Sequence, residues 1–304
     1  MPLLVITRRE QMKSFIREQK LNKCKIGFVP TMGALHKGHG SLIKQSSNEN
    51  DLSIVSIFVN PTQFGANEDL SKYPRQFQSD FELCESNGVH ILFAPTVDEM
   101  YPTGFSTQIS VNNLSNFMCG KFRPGHFEGV ATVVMLFLNI IRPNAIYLGQ
   151  KDFQQVQVIK RMCVDLAHDS NIVMVPTTRE EDGLALSSRN VYLTEESRNI
   201  AKIIPQALAD AAKLYLSGER DCKKILDCAT QLLKTKNLTP QYLEMRSVSN
   251  LAKQIDSKIE EECVLAIAQF VQSQEMQVRL IDNIILSEDS VWNRVLDELI
   301  SSVK

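Results

Sequence analysis

A doubly wound (Rossmann-like) α/β domain followed by a smaller α+β domain is the architecture this sequence predicts, and three observations predict it. Short continuous apolar runs alternate with helix-like stretches in the first half of the chain, the signature of parallel strands covered on both faces. After about Gly183 that rhythm gives way to helices and then a group of strands. The length, 304 residues, also exceeds what one core usually supports. The expected division is residues 1–184 and 185–304.

In chain order, Ile26-Gly27-Phe28-Val29 is a strand closed by Pro30, and a helix follows from Ser41. Ile54-Val55-Ser56-Ile57-Phe58-Val59 is a second strand, stopped by Asn60-Pro61. A helix over residues 75–86 leads to a strand at Ile91-Leu92-Phe93-Ala94. Ala145-Ile146-Tyr147-Leu148 and Ile172-Val173-Met174-Val175 repeat the pattern around a helix over residues 153–167. Further on, Thr194-Glu195-Glu196 opens a capped helix that Pro205 should kink and Gly218 should end. A helix over residues 221–234 then precedes strands at 241–246, 264–271 and 278–281.

Composition excludes several roles. Lys and Arg total 33 against 35 Asp and Glu, a net charge of −2 that gives no basic field for nucleic acid. The longest apolar stretch, residues 130–141, contains Thr132 and Asn139 and stops at Arg142-Pro143, short of the ~20 residues a bilayer requires. The first eight residues have basic positions after a brief apolar run and no cleavage-like site, so they do not read as a signal peptide. The seven cysteines are scattered without a C-x-x-C pair, as expected of buried free thiols in a reducing cytoplasm.

The chemistry concentrates where strands meet helices, beyond their carboxyl ends. Pro30-Thr31-Met32-Gly33-Ala34-Leu35-His36-Lys37-Gly38-His39-Gly40-Ser41 lies at the first such junction. Unpaired N–H groups and glycines there suit a phosphate. A Walker A loop would need Lys-Ser/Thr after Gly38, but His39-Gly40 follows. A dinucleotide fingerprint would need a glycine where Ile43 stands. What remains is the pair His36 and His39 on one helical face, whose ring N–H groups could stabilise charge in phosphoryl or nucleotidyl transfer. As metal ligands they would need a third and fourth partner, and no other His or Cys is near in sequence; as plain surface histidines they would do nothing.

Other strand ends could supply further walls. Asn60-Pro61-Thr62-Gln63-Phe64-Gly65 offers the Gln63 amide for a carboxylate or hydroxyl. Gly149-Gln150-Lys151-Asp152-Phe153-Gln154-Gln155 follows another strand, and Lys160 is either a ligand contact on the same helix or a solvated lysine. Asp182-Gly183-Leu184-Ala185-Leu186-Ser187-Ser188-Arg189-Asn190 sets two hydroxyls and a guanidinium where a polyphosphate could be clamped. Glu180-Glu181 just before it would add negative charge near that path. Gly120-Lys121-Phe122-Arg123-Pro124-Gly125-His126-Phe127-Glu128-Gly129-Val130 enters a helix. Its Arg123 and His126 either approach an anion or belong to a structural connector.

Taken in chain order, these five segments resemble the pantoate–β-alanine ligase family of the nucleotidyltransferase superfamily, which includes class I aminoacyl-tRNA synthetases. The resemblance runs over nearly the whole chain. It implies an ATP- and pantoate-binding domain, a smaller carboxyl-terminal lid, ATP with Mg2+, β-alanine as second substrate, and a homodimer. It further implies that pantoate's carboxylate attacks the α-phosphate of ATP and that β-alanine then displaces AMP. By resemblance Met32, Gly33, Ala34, Leu35, His36, Lys37, Gly38 and His39 form the HIGH-type ATP segment. His39 matches the family's proton donor and His36 its phosphate-contacting partner. Gly149, Gln150, Lys151 and Asp152 resemble a second ATP segment, with Thr178 near the adenine. Leu186, Ser187, Ser188 and Arg189 stand where related synthetases carry their KMSKS loop. Gln63 and Gln155, with Asn60 beside them, match the substrate-binding positions, and Lys160 matches a phosphate-contacting lysine. The implied catalytic set is His36, His39, Lys160 and Arg189. For His39 the chemistry favours a neutral N–H donor over an acid.

Overall fold

The computed structural model describes residues 2–66 and 68–303. Contacts divide the chain into two compact units: residues 1–150 with 154–175, and residues 151–153 with 176–304.

The first unit holds a six-stranded sheet of β1 (Leu4–Ile6), β2 (Ile26–Thr31), β3 (Leu52–Ile57), β4 (Ile91–Phe93), β5 (Ala145–Gly149) and β6 (Asn171–Val175). Their order is β1-β4-β3-β2-β5-β6, and every pairing is parallel. β2 pairs along its full length with β3, from Ile26 opposite Leu52 to Thr31 opposite Ile57, and pairs on its other side with β5. The chain thus winds outward from β2 to β3 and β4, then returns to start β5 on the opposite side of β2. Such a reversal opens a crevice at the carboxyl ends of the strands. The central strands are buried, which is why they read as unbroken apolar runs.

Helices α1 (Arg9–Leu21), α2 (Lys37–Glu49), α3 (Phe77–Ser86), α4 (Val97–Met100), α5 (Cys119–Phe122), α6 (His126–Ile141) and α7 (Phe153–Asp165) make the connections. The apolar stretch at residues 130–141 is most of α6, which is buried around nearly its whole circumference. Its Phe137 ring meets Phe28 at 5.5 Å and Phe93 at 6.0 Å, locking α6 onto one face of the sheet. Val29, Val55, Leu92 and Tyr147 pack with Leu42 and Ile43 of α2 in another cluster. No helix among the described residues is long and apolar enough to cross a membrane.

The second unit contains α8 (Glu195–Ala201), α9 (Ile203–Leu216), α10 (Cys222–Lys234), β7 (Tyr242–Ser247), β8 (Cys263–Ser273), β9 (Met276–Leu286) and α11 (Ser290–Ser302). The strands form an antiparallel sheet in the order β7-β8-β9. Ala207, Leu208 and Ala211 of α9 share its core with Leu265, Ile267 and Ile284.

Several boundaries differ from expectation for local reasons. The division expected at 184/185 lies at 175/176, because Leu184 belongs to the second core and Arg179 is paired to Asp282 of β9. α2 starts at Lys37 rather than Ser41, since His36 itself caps it. The expected kink at Pro205 is a break at Lys202 between α8 and α9. Proline has no N–H to return to the carbonyl four residues earlier, at Ala201.

Candidate active site

Beyond β2 the chain makes a turn that local sequence alone would not hold. Gly33 has φ +83° and the next residue, Ala34, has φ +51°. A left-handed alanine costs about 1–2 kcal/mol. Four hydrogen bonds fix it. The Thr31 hydroxyl donates to Ser56 O at 2.6 Å and accepts from Gly33 N–H at 3.2 Å. The Asp80 carboxylate of α3, 2% exposed, accepts from Ala34 N–H at 3.0 Å and Leu35 N–H at 2.7 Å.

Just after this turn His36 and His39 cap α2 reciprocally. Gly38 N–H donates to His36 Nδ1 at 3.2 Å, and His36 N–H donates to His39 Nδ1 at 3.3 Å. The two rings stand 4.1 Å apart. Because Nδ1 accepts in both, each neutral ring carries its proton on Nε2. The backbone donors expected to be unpaired here are therefore largely taken, by Asp80, Thr31 and the histidines themselves. The ring nitrogens that do not accept a backbone N–H are the two Nε2 atoms. Lys37, between them, is exposed.

The end of β3 carries a buried amide hub. Asn60, 1% exposed, donates from Nδ2 to Gln63 Oε1 and to Gly129 O, both at 3.1 Å. Its Oδ1 accepts from Tyr101 Oη at 2.8 Å and from the Thr62 hydroxyl at 2.9 Å. Burial pushes the Tyr101 phenol up, so it stays a protonated donor. Asn60, expected to touch substrate, orients Gln63 through this hub. Gln63 Nε2 in turn reaches Met32 Sδ at 3.2 Å, joining the ends of β2 and β3.

Arg123 and His126 resolve as a brace for the same turn. His126 Nδ1 lies 2.9 Å from Gln63 O, which can only accept, so Nε2 receives Arg123 Nη1 at 3.0 Å. Arg123 also grips Glu68 with two bonds of 2.6 Å. Burial alone would raise the Glu68 carboxyl, yet the guanidinium holds it below its usual range.

At the end of β5, Gln150 is buried, and Lys151 forms an ion pair with Asp152 at 3.5 Å. Gln154 anchors a distant loop through Cys119 N, Leu114 O and Phe117 O, while Gln155 is half-buried. Lys160 lies further along the helix. It is exposed on α7, about 10 Å along the axis from the helix start at seven residues of 1.5 Å rise. Lys151 lies at the strand end itself.

In the second unit, Leu186 N–H donates to Thr178 O at 3.0 Å beside an Arg179–Ala185 bridge. Ser187 Oγ accepts from Arg189 N–H at 3.2 Å and opens a short 3-10 turn, Ser188–Tyr192. Asn190, 8% exposed, donates to Glu180 Oε1 at 2.7 Å and Ala185 O at 3.1 Å. Arg198 binds Glu180 at 2.6 Å and Asp182 at 2.9 Å. Of the negative charge expected near this path, Glu180 is thus paired, and it staples the loop's base. Burial would raise Asp182, but Arg198 and the Leu184 N–H bring it below its usual value. A lowered carboxyl stabilises the fold above the unfolded pKa, and that contribution fades as pH falls through the folded one. Arg198→Ala should therefore cost about 1–2 kcal/mol at neutral pH. Its thermal-midpoint deficit should shrink as pH is lowered through the carboxylate range; a constant deficit would count against this assignment.

Among the described residues no group of three or more His, Cys, Asp or Glu is placed to hold a metal ion. The signals missed in the sequence are Asp80, Tyr101 and Glu68. Each acts on a partner tens of residues away, where no spacing rule reaches.

The model for pantoate-beta-alanine ligase matches residues 4–285. Pantothenate synthetase of Caldicellulosiruptor bescii is 47% identical over 285 residues, covering 93% of this chain and 99% of the relative. The crystal structure of pantothenate synthetase from Thermus thermophilus superposes with a TM-score of 0.86 at 37% identity, covering 93% of this chain and 99% of that one. That of pantoate-beta-alanine ligase from Francisella tularensis, complexed with beta-gamma ATP and beta-alanine, superposes at 0.72 with 37% identity, covering 93% and 97%. With fold, strand-end geometry and sequence in agreement over nearly its full length, the chain belongs to the pantoate–β-alanine ligase family.

Proposed function

We propose that this protein is an AMP-forming ligase that condenses pantoate with β-alanine to give pantothenate, a coenzyme A precursor. Pantoate's carboxylate oxygen attacks the α-phosphorus of ATP, and the bond to pyrophosphate breaks. The β-alanine amine then attacks the acyl carbon of pantoyl-adenylate; the C–O bond to AMP breaks and the amine gives up its proton. Adenylation makes the acyl group reactive at neutral pH by supplying a good leaving group.

The observation that carries this reading is the meeting of two strand ends: the doubly capped His36/His39 pair after β2, and the Gln63 amide held by Asn60 after β3. In this reading the Nε2–H groups of His36 and His39 stabilise charge on the phosphates, with His39 a neutral donor. Gln63 and Gln155 bind pantoate. Gly149, Gln150, Lys151, Asp152, Thr178, Leu186, Ser187, Ser188 and Arg189 bind ATP, and Lys160 contacts a phosphate from α7. Mg2+ enters with the nucleotide as part of the substrate, since a hard ion with few protein ligands is commonly carried by phosphates. The assembly is proposed as a cytoplasmic homodimer, in keeping with the family resemblance and seven free cysteines.

Pyrophosphate–ATP exchange tests the reading. Exchange should require pantoate and proceed without β-alanine, whereas sustained AMP release should require β-alanine as well. Exchange without β-alanine-dependent AMP release would mean a nucleotidyltransferase that stops at the adenylate. ATP binding with neither would mean a nucleotide sensor. Gln63→Ala should raise the pantoate KM about tenfold or more, at the scale of a lost bond to a charged group, with a smaller change in ATP KM. An unchanged pantoate KM would remove Gln63 from the substrate site.

A further inference from the structure

Asp80 is a buried carboxylate that the reaction chemistry does not use. It sits in the first turn of α3, is 2% exposed, and spends one oxygen each on Ala34 N–H and Leu35 N–H. These two donors belong to the turn that leads directly into His36. The turn is built against it: a Cβ at Gly33 would stand 3.0 Å from Asp80 Oδ2 and 3.1 Å from Ile57 Cγ2. Burial pushes the Asp80 carboxyl up, and the two N–H groups only partly offset this. An acid with a raised folded value costs the fold stability once ionised, so a gain in stability does not account for it. Nor is an anion suited to attract phosphate; its contribution is geometric.

We propose that Asp80 is the positioning residue of the nucleotide segment, holding Ala34 and Leu35 in the turn that follows Gly33 and so aiming the His36/His39 pair. The same two bonds divert the N–H groups of Ala34 and Leu35 from phosphate and leave that contact to the imidazoles. This assignment rests on the functional reading above, and its test separates the two.

The full-length chain, labelled with 15N-histidine, is compared as wild type, Asp80→Asn and Asp80→Ala. Two quantities are measured: histidine tautomers by long-range 1H–15N correlation, and pantoate-dependent pyrophosphate exchange. Asp80→Asn keeps the shape but turns an N–H donor toward one of the two backbone N–H groups. Wild type should show the Nε2–H tautomer at His36 and His39. Asp80→Asn should disturb both signals and lower the exchange kcat at least about tenfold, the scale of a small misplacement of reacting groups. Its pantoate KM should change less than about threefold, because Gln63 is held from a different strand end. Wild-type kcat in a folded variant would overturn the proposal, as would lost activity with unchanged histidine signals. If neither variant folds, Asp80 is a stability residue and the proposal falls. Absence of exchange in wild type sinks the functional reading instead, while the tautomer comparison still judges Asp80.

Discussion

Replacing His39 by alanine is expected to slow pantoyl-adenylate formation about 100- to 1,000-fold, the usual consequence of losing one oriented donor to a charged transition state. The structure predicts an additional, separable effect. His39 Nδ1 accepts the His36 N–H, so alanine also removes a cap and should cost about 1 kcal/mol of stability. Glutamine separates the two roles. At the third position of a capping box its carbonyl oxygen can return to the N-cap N–H, while the rigid Nε2–H is gone. His39→Gln should therefore unfold near the wild-type temperature yet remain much slower in pyrophosphate exchange. A variant with restored cap and wild-type exchange rate would reduce His39 to a helix cap.

The same pair shows what a sequence can reveal. His36 and His39 were legible because helix periodicity puts them on one face at a strand end. Their tautomers were not, because these depend on which backbone N–H each ring receives. Strands β2 to β6 were legible because burial on both faces leaves continuous apolar runs. β1 was not, having three residues at the edge of the sheet. The hairpin between β8 and β9 extends further than expected because Gln274-Glu275 makes its turn without Asn or Gly, Gln274 alone taking φ +52°.

Charged positions were the least legible. Lys160 is exposed well along α7, and spacing along a helix does not by itself give distance from a strand end. Arg123 looked available for a ligand and Glu180 for repulsion, but each has its counter-charge in a distant segment. A motif names the residue types at a site; the long-range bonds decide which of them face the ligand.

Gly129→Ala carries the second large expectation, and it follows from a close approach rather than from backbone freedom. Gly129 lies in α6, where alanine is otherwise favoured over glycine by about 1 kcal/mol. A Cβ there would overlap Thr62 O and stand 2.6 Å from Thr62 C and 2.7 Å from Gln63 Cα. The added atom meets backbone, which cannot rotate away. α6 cannot easily retreat either, since Phe127 and Val130 are buried and Phe137 is wedged between Phe28 and Phe93. The turn carrying Gln63 should give way instead, stretching the bond from Asn60 Nδ2 to Gly129 O and the brace from His126 to Gln63 O. Overpacking of this kind costs about 1–3 kcal/mol, outweighing the gain in helix propensity. The pantoate KM should rise about tenfold or more through displacement of Gln63. In contrast to His39→Ala, the residual adenylation at saturating pantoate should stay near wild type, because the histidine pair hangs from β2 and Asp80. Thermal unfolding and pantoate-dependent exchange measure the two halves. A variant as stable as wild type, with an unchanged pantoate KM, would show that α6 does not set the position of the Gln63 turn.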